Sequence, residues 1–472
     1  MTIRPSVPLR AIPAPRGLPR GMTVLALVSL LLPTAAGRLR GQQDSLRRLE
    51  DRVEGLDQRL RVLDRLEELR RDSAMAADRT RPIVTTGADG FTIRSSDGRW
   101  RVRLSGYFQA DSRWYPTDDA GLLVDGFLIR RARPMVEGTL SKYFDFRIMP
   151  DFGSGQPTLY EAWLEARLHP ALSVRAGKFK PPVGLERLQS ATDLRFIERG
   201  FPTNLAPNRD VGVQIGGELA AGAVTYQAGV FNGVPDLGFG DGDANDAKEI
   251  ATRLFLVPFA ARGKAAPIDL GVGLAVSTGR ETGTTTAPLT SALRAPGQAT
   301  FFRYRTGATA AAVVADGRRT RVYPQAYAYR GSWGLLAELS DNKHTVRRDT
   351  VTRAFHHTGW QVAGSVFLTG EKASYRSVTP RRPFDPKAGT LGAVEVAFRI
   401  QQTEVDDAAF PVFADPTTQA QRASAWGVGV NWYFARQLKL MVNYERTKFR
   451  GGSTAGNRPT EAFLATRFQF AY

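Results

Sequence analysis

The stretch FLATRFQFAY, residues 463–472, decides how this chain is read. Leu464, Thr466, Phe468, Phe470 and Tyr472 share one face of an extended strand while Arg467 and Gln469 take the other, because side chains along a strand alternate with period two. A strand that is apolar outside, polar inside and closed by an aromatic ring reads as the last strand of a bacterial outer-membrane barrel. Taken alone it also fits one half-buried strand of a soluble sandwich, so the rest of the chain has to decide.

The alternation recurs from about residue 90 onward. Trp100, Val102, Leu104, Phe108 and Ala110 point one way and Arg99, Arg101, Arg103, Tyr107 and Gln109 the other. Phe144, Phe146 and Ile148 oppose Tyr143, Asp145, Arg147 and Asp151; Tyr160, Ala162, Leu164, Ala166 and Leu168 oppose Glu161, Glu165 and Arg167. Further segments begin near residues 127, 172, 210, 223, 250, 268, 322, 333, 360, 391, 425, 438 and 463. The total is about sixteen, and an even number of strands is what a closed transmembrane barrel requires. Short turns at 139–141, 169–171, 219–222, 331–332 and 436–437 alternate with long loops at 112–125, 232–249, 278–321, 341–359, 402–424 and 447–462. That asymmetry suits a barrel with its amino terminus in the periplasm, and it places Arg318 and Arg319 in an outer loop. The connection 369–390 breaks the pattern by being long on the turn side. The expected fold is therefore all-β, a transmembrane antiparallel β-barrel over residues 91–472.

The amino-terminal residues follow other rules. Arg4, Arg10, Arg16 and Arg20 precede an apolar run from Met22 to Leu32, followed by the small residues Thr34, Ala35, Ala36 and Gly37; residues 1–41 read as a secretory signal peptide. Leu46, Leu49, Val53, Leu56, Leu60 and Leu63 then step by threes and fours among charged residues. This is the heptad seam of a short coiled coil, placed in the periplasm over residues 42–80, with a linker at 81–90. A lone charged helix or a disordered spacer is the other reading of the same stretch, since an isolated helix of this length is marginal in water. Mean hydropathy is −0.26, and beyond the amino terminus no run reaches the roughly 18 apolar residues of a spanning helix. The absence of Cys excludes disulfides and thiol catalysis.

Between the fifth and sixth strands lies KPPVGLERLQSATDLRFIERGFPTNLAPNR, residues 180–209. In sixteen-stranded porins the loop at this place folds into the lumen, and here it brings Arg187, Arg195, Arg199 and Arg209 against Glu186, Asp193 and Glu198; an external cap is the alternative. The net charge is +18 at pH 7. Roughly +13 of it falls on the barrel, where lumen charge focuses counter-ions. Basic side chains at mid-depth on a lipid face cost about 2 to 4 kcal/mol, so they belong in the lumen, the loops or the rims. Of the 64 basic residues only 10 are Lys. Arginine stays protonated beside other cations and binds oxyanions in bidentate fashion, although a codon bias toward Arg would raise the same count. Period two turns Arg101, Arg103, Arg131, Arg133, Arg147 and Arg175 inward. Arg130 and Arg131 are neighbours, and both line the lumen only if a β-bulge intervenes.

The stretches FLIRRARPMVEGTL (127–140), LSVRAGKFKPPVGLERL (172–188) and GVGVNWYFARQLKLMVNYERTKF (427–449), with the aromatic end, resemble the phosphate-selective porin O/P family over roughly residues 90–472. The resemblance implies a sixteen-stranded homotrimeric pore in the lipid bilayer, selective for small anions, with a basic path and inward-folded loops. It implies anion-path roles for the pair Arg130 and Arg131, for Arg175 on the fifth strand and for Arg280 at the upper end of the ninth. It also implies an inward-folding periplasmic turn, which accounts for 369–390. Where the phosphate-specific members carry an arginine early in the first strand, this chain has Tyr107. That departure bears on phosphate specificity and leaves anion preference in place.

Other functions fit less well. His169, His344, His356 and His357 sit in no metal-ligand or Ser-His spacing, so neither a metal, a cofactor nor a hydrolytic triad is expected. Glu161, Glu165 and Glu395 read as counter-charges to the arginine wall rather than as an acid–base pair. A nucleic-acid partner, the other reading of a pI near 10.3, is opposed by the secretion signal. The expected activity is passive, anion-selective diffusion of small solutes, phosphate or other oxyanions; the alternatives are a weakly selective general porin and a porin for organic acids.

Overall fold

The alternating segments close on themselves. In a computed structural model, which describes residues 35–87, 90–117, 123–238, 240, 242, 243 and 245–472, sixteen antiparallel strands form one barrel. They are β1 (Arg101–Trp114), β2 (Gly126–Leu140), β3 (Phe144–Asp151), β4 (Thr158–His169), β5 (Leu172–Phe179), β6 (Asp210–Leu219), β7 (Val224–Phe231) and β8 (Glu249–Leu256). The series continues with β9 (Asp269–Thr282), β10 (Val313–Arg330), β11 (Trp333–Arg348), β12 (Val351–Phe367), β13 (Ala393–Glu404), β14 (Ala420–Tyr433), β15 (Leu438–Ser453) and β16 (Glu461–Ala471). β16 returns to β1 with Leu464 opposite Trp114 and Ala471 opposite Tyr107. Closure pairs the ladder groups that an open edge would leave facing lipid. Leu464, Phe468, Phe470 and Tyr472 are 37–45% exposed outside, whereas Arg467 and Gln469 are buried inside. Among the described residues no helix is long and apolar enough to cross a membrane.

The wall is uneven. β3, β5, β7 and β8 have eight residues each, whereas β10, β11 and β12 have 16 to 18. Two expectations change with the tall side. Residues 341–359 form no long loop, because β11 and β12 run on to a tight turn at Asp349, whose φ is 52°. Arg318 and Arg319 stand on β10, which begins at Val313. Above the apolar band both faces of these strands are polar, so composition alone resembles loop. Residues 81–90 are mostly no linker either. Ile83–Gly87 pairs with Gly90–Arg94, and Phe91 to Arg94 pair in turn with Leu104 to Arg101 at the start of β1; the β-branched residues of IVTT suit that ladder.

A separate compact unit carries α1 (Ala35–Thr80), one helix of 46 residues. Its seam from Leu46 to Leu63 is 57–62% exposed at each of the six apolar positions. The expected signal peptide, residues 1–41, lies outside the described residues as far as residue 34.

Residues 180–209 enter the lumen, where every backbone polar group needs a partner. The wall supplies them. Glu338 accepts from Leu185 N at 2.6 Å, Asn443 from Ile197 N at 2.6 Å and Gln401 from Phe201 N at 2.8 Å; Arg467 donates to the Ile197 carbonyl at 2.6 Å and Lys439 to that of Leu194 at 2.8 Å. All five wall residues lie on β11 to β16, so the loop lies against that side. From the outer end, the loop between β9 and β10 buries Leu293, Phe301, Phe302 and Tyr304 with Phe201, Leu205, Phe355 and Phe413. From the other end the long turn between β12 and β13 reaches the infolded loop: Tyr375 Oη donates to the Leu185 carbonyl at 2.7 Å, and Gln189 Nε2 to the Tyr375 carbonyl.

Candidate anion pathway

With β11 to β16 occupied by the loop, the space that remains follows β1 to β7. Two of its cavities concentrate basic residues. The upper, toward the long loops, has about 360 Å³ and is lined by Arg130, Arg131, Arg133, Arg187, Arg199 and Arg294 against the acids Asp151 and Glu198. The lower, beside Tyr472, has about 550 Å³ and is lined by Arg103, Arg147, Arg175, Lys180, Arg209 and Arg436 against Glu161. Cations outnumber acids in both.

Two bulges aim side chains at the boundary. On β2 the register slips so that Gln109 faces Arg131 and Ala110 faces Ile129, which leaves Arg130 as the extra residue. Arg130 Nε then reaches Glu198 at 2.7 Å while Arg131 Nη1 reaches Gln109 at 2.7 Å, so neighbours share one side. On β4 the same slip makes Tyr160 the extra residue between Leu159 and Glu161. Tyr160 was expected on the outer face with Ala162 and Leu164; the bulge turns it inward, under the Arg133 guanidinium at 3.6 Å and near that of Arg209 at 4.0 Å. Arg133 is completed by Asp151 at 2.7 Å and the Tyr107 hydroxyl at 2.6 Å.

Most wall arginines carry carboxylate partners. Arg147 lies 2.8 Å from Glu137 and 3.4 Å from Glu161, Arg175 2.9 Å from Glu165, Arg209 2.8 Å from Glu161, and Arg103 pairs with Glu137. The loop cations are held differently. Arg187 Nη2 donates to the Thr203 carbonyl at 2.8 Å and Nη1 to Asn208 at 3.2 Å. Arg199 donates to the carbonyls of Glu186 and Gln189 at 2.9 and 2.8 Å, and Lys180 Nζ to those of Leu188 and Gln189 at 3.1 and 2.9 Å. Lys180 faces the lower cavity and Arg199 the upper, and they meet on one carbonyl. Neutral acceptors orient these cations, and no carboxylate among the described residues lies within ion-pair distance of them; a unit charge 4 Å away at an effective dielectric near 20 interacts by about 4 kcal/mol.

Three expected residues line neither cavity. Arg280 is exposed on the outer face opposite Arg318, because the buried Ser277 and Glu281 fix the odd positions of β9 as inward. Arg195 is bound to Glu395 at 3.0 Å and Ser365 at 2.9 Å and ties the loop to β12 and β13. Arg101 is exposed at the lower rim, with Thr139 Oγ1 at 3.5 Å. Arg319, assigned above to a loop, is buried on the inner face with Glu281. Two residues not expected from the sequence also line the path: Lys180, which follows β5 directly, and Tyr160, whose parity pointed the wrong way.

The sequence profile of the family described as phosphate-selective porin O and P matches residues 102–472. The chain belongs to that family. This porin is 25% identical to Porin O of Pseudomonas aeruginosa over 426 residues, which are 83% of this chain and 94% of that one. Its fold is shared with the outer membrane channel DcaP of Acinetobacter baumannii, at a TM-score of 0.52 and 10% identity over 81% of this chain and all of that one. An anion-selective porin from Comamonas acidovorans aligns at a TM-score of 0.49 and 12% identity over 79% of this chain and 100% of that one. Family and barrel together make the protein a channel of the outer membrane.

Proposed function

We propose that this porin passes small anions by diffusion from one cavity to the other, phosphate and other oxyanions among them. It works as a homotrimer, with the long loops outside the cell and α1 in the periplasm. The observation that carries the reading is the convergence of Lys180, Arg187 and Arg199 between the cavities on neutral acceptors. Among the described residues they form no ion pair. Several such moderate sites attract an anion without trapping it, which conduction requires. The exposed heptad seam of α1 supports oligomerisation, since one chain leaves it uncovered.

A second reading has its own observation. The lower cavity is also lined by Met135, Met149, Trp163, Phe179 and Leu188, and Tyr107 sits beside Arg133, so an organic acid with an apolar body fits there. Reversal potentials in planar bilayers with chloride, phosphate, gluconate and benzoate test both. An anion-signed potential in a salt gradient is expected, and a cation-signed one overturns the proposal. Stronger block by benzoate than by phosphate selects the organic-acid reading.

A further inference from the structure

Arg280 belongs to a feature that conduction does not use. On the outer face of the tall wall, Arg280 on β9 stands directly opposite Arg318 on β10. One step around the barrel, Lys343 on β11 stands opposite Thr320 and His356, and Thr320 is two residues from Arg318 on the same face. Arg280, Arg318, Lys343 and His356 are all exposed. Their strand neighbours Glu281, Arg319, His344 and His357 are buried inside, which settles that the four point outward.

Two like charges directly opposite on paired strands repel. Among the described residues, the side chains of Arg280, Arg318 and Lys343 have no hydrogen-bond or ion-pair partner. Of the carboxylates nearby, Asp316 holds Arg347 Nε at 2.7 Å, and Asp341 lies 3.6 Å from His356 Nδ1, so His356 has an acid beside it while the two arginines and Lys343 have none bound. The counter-charge for Arg280, Arg318 and Lys343 therefore comes from outside the chain.

The strands themselves say what lies next to it. One layer toward the middle of the barrel, the hydroxyls of Thr278 and Thr320 are 3.1 Å apart. Below them, apart from Asp341 opposite Val322, the outward residues turn apolar: Val276 faces Val322, Leu339 faces Trp360, and Leu274, Leu339 and Trp360 are 36–47% exposed. The cations thus crown an apolar wall at the height where hydrocarbon gives way to headgroups. We propose that this patch binds the phosphate groups of a phosphorylated lipid in the outer leaflet, with the acyl chains lying along Leu274, Leu339 and Trp360. Guanidinium groups match phosphate oxygens in bidentate fashion, and a phosphate between Arg280 and Arg318 turns a repulsive pair into a clamp. A free phosphate ion would have no use for the apolar surface below. The proposal rests on the orientation given above, with the long loops outside.

The test is native mass spectrometry of the intact oligomer in detergent with bisphosphorylated lipid A as probe. The unaltered protein is expected to retain the lipid, and enzymatically dephosphorylated lipid A to be lost. The triple variant Arg280→Gln, Arg318→Gln, Lys343→Gln is expected to bind the bisphosphorylated probe roughly a hundredfold more weakly, at about a fivefold loss per cation near an anionic surface. Arg330→Gln, at the opposite end of β10, is expected to change nothing. Equal retention of the dephosphorylated probe by the unaltered protein overturns the proposal whatever the variant does. So does full binding by the triple variant. Displacement of the lipid by excess inorganic phosphate alone would assign the patch to a free ion, and lipid bound by the dissociated chain but excluded from the intact oligomer would assign it to a subunit contact; either result overturns the lipid assignment. Reversal potentials recorded in bilayers without this lipid stay independent of the outcome, so failure here and failure of the channel proposal are separable.

Discussion

Glu198 gathers cations from three strands. Arg113 of β1 lies 2.6 Å away, Arg130 and Arg131 of β2 2.7 and 3.9 Å, and Arg467 of β16 3.6 Å. Burial acts to raise its pKa, but the surrounding guanidinium groups hold this loop carboxyl well below the usual glutamate range, so it stays charged when ordinary glutamates have protonated. Glu198→Gln is expected to raise anion preference while reducing the heat resistance of the folded barrel. Breaking a buried pair from one side costs about 3 to 5 kcal/mol. Heat-modifiable gel migration and a reversal potential check the two halves, and a fall in anion preference contradicts the assignment. Lys180 gives a pH signature. Burial first, then the neighbouring Arg209 and Arg199, push its pKa well below the ordinary lysine range. Rising pH therefore neutralises it early, and anion preference is expected to decline before exposed lysines titrate. Lys180→Arg keeps the charge and should flatten that pH profile; an unchanged decline in this variant points to another group. At this scale parity made most of the wall legible, from Arg103 to Arg175, and the conflict between Arg130 and Arg131 even announced a bulge. The bulge at Tyr160 left no such mark, because an aromatic suits either face of a barrel strand. Arg280 was misplaced by resemblance where parity, read on its own, turns it outward.

Among the elements, the infolded loop is braced from both ends, and the lower brace is the turn between β12 and β13. Its Ser374 and Tyr375 carbonyls accept from Arg195 and Gln189, and the Tyr375 hydroxyl donates to Leu185. Deleting residues 373–378 removes these contacts without touching a strand. The expected outcome is a barrel that still inserts but shows larger and noisier single-channel conductance; conductance and noise equal to those of the intact protein would mean the loop is held by the β11 to β16 wall alone. Sixteen strands were legible because each carries its own apolar row and the order of short and long connections is fixed by the membrane. The place of residues 180–209 followed from counting. The tall upper halves of β10 to β12 were not legible. There water lies outside and packed polar side chains inside, as Ser340, Asn342 and His344 alternate with Asp341, Lys343 and Thr345, so the contrast that reveals a strand disappears. The hairpin at 83–94 escaped for the related reason that its two strands are five residues each.

For the whole molecule, the open question of assembly falls on α1. Its Leu and Val seam repeats every seven residues from Leu46 to Leu63, with flanking pairs such as Arg61 with Asp57 at 2.6 Å and Arg71 with Glu67 at 2.7 Å. Exposed i,i+4 pairs contribute only about 0.3 to 0.5 kcal/mol each. A lone helix with the six apolar residues of its seam exposed is therefore held by little except its own backbone. Three copies change the balance, because fully burying a leucine is worth about 1.5 to 3 kcal/mol, and the heptad places the seam of each helix against the others. A porin trimer brings three such helices into one neighbourhood, where a weak coil becomes an effectively intramolecular one. Removing residues 44–72 is expected to leave insertion and single-pore conductance intact while lowering the temperature at which trimers fall apart on a gel. The narrower change Leu49→Ser with Leu56→Ser should do the same with the helix still present, since it alters the seam and spares the charged flanks. If both variants dissociate at the temperature of the intact trimer, the seam serves a partner other than a second copy of this chain.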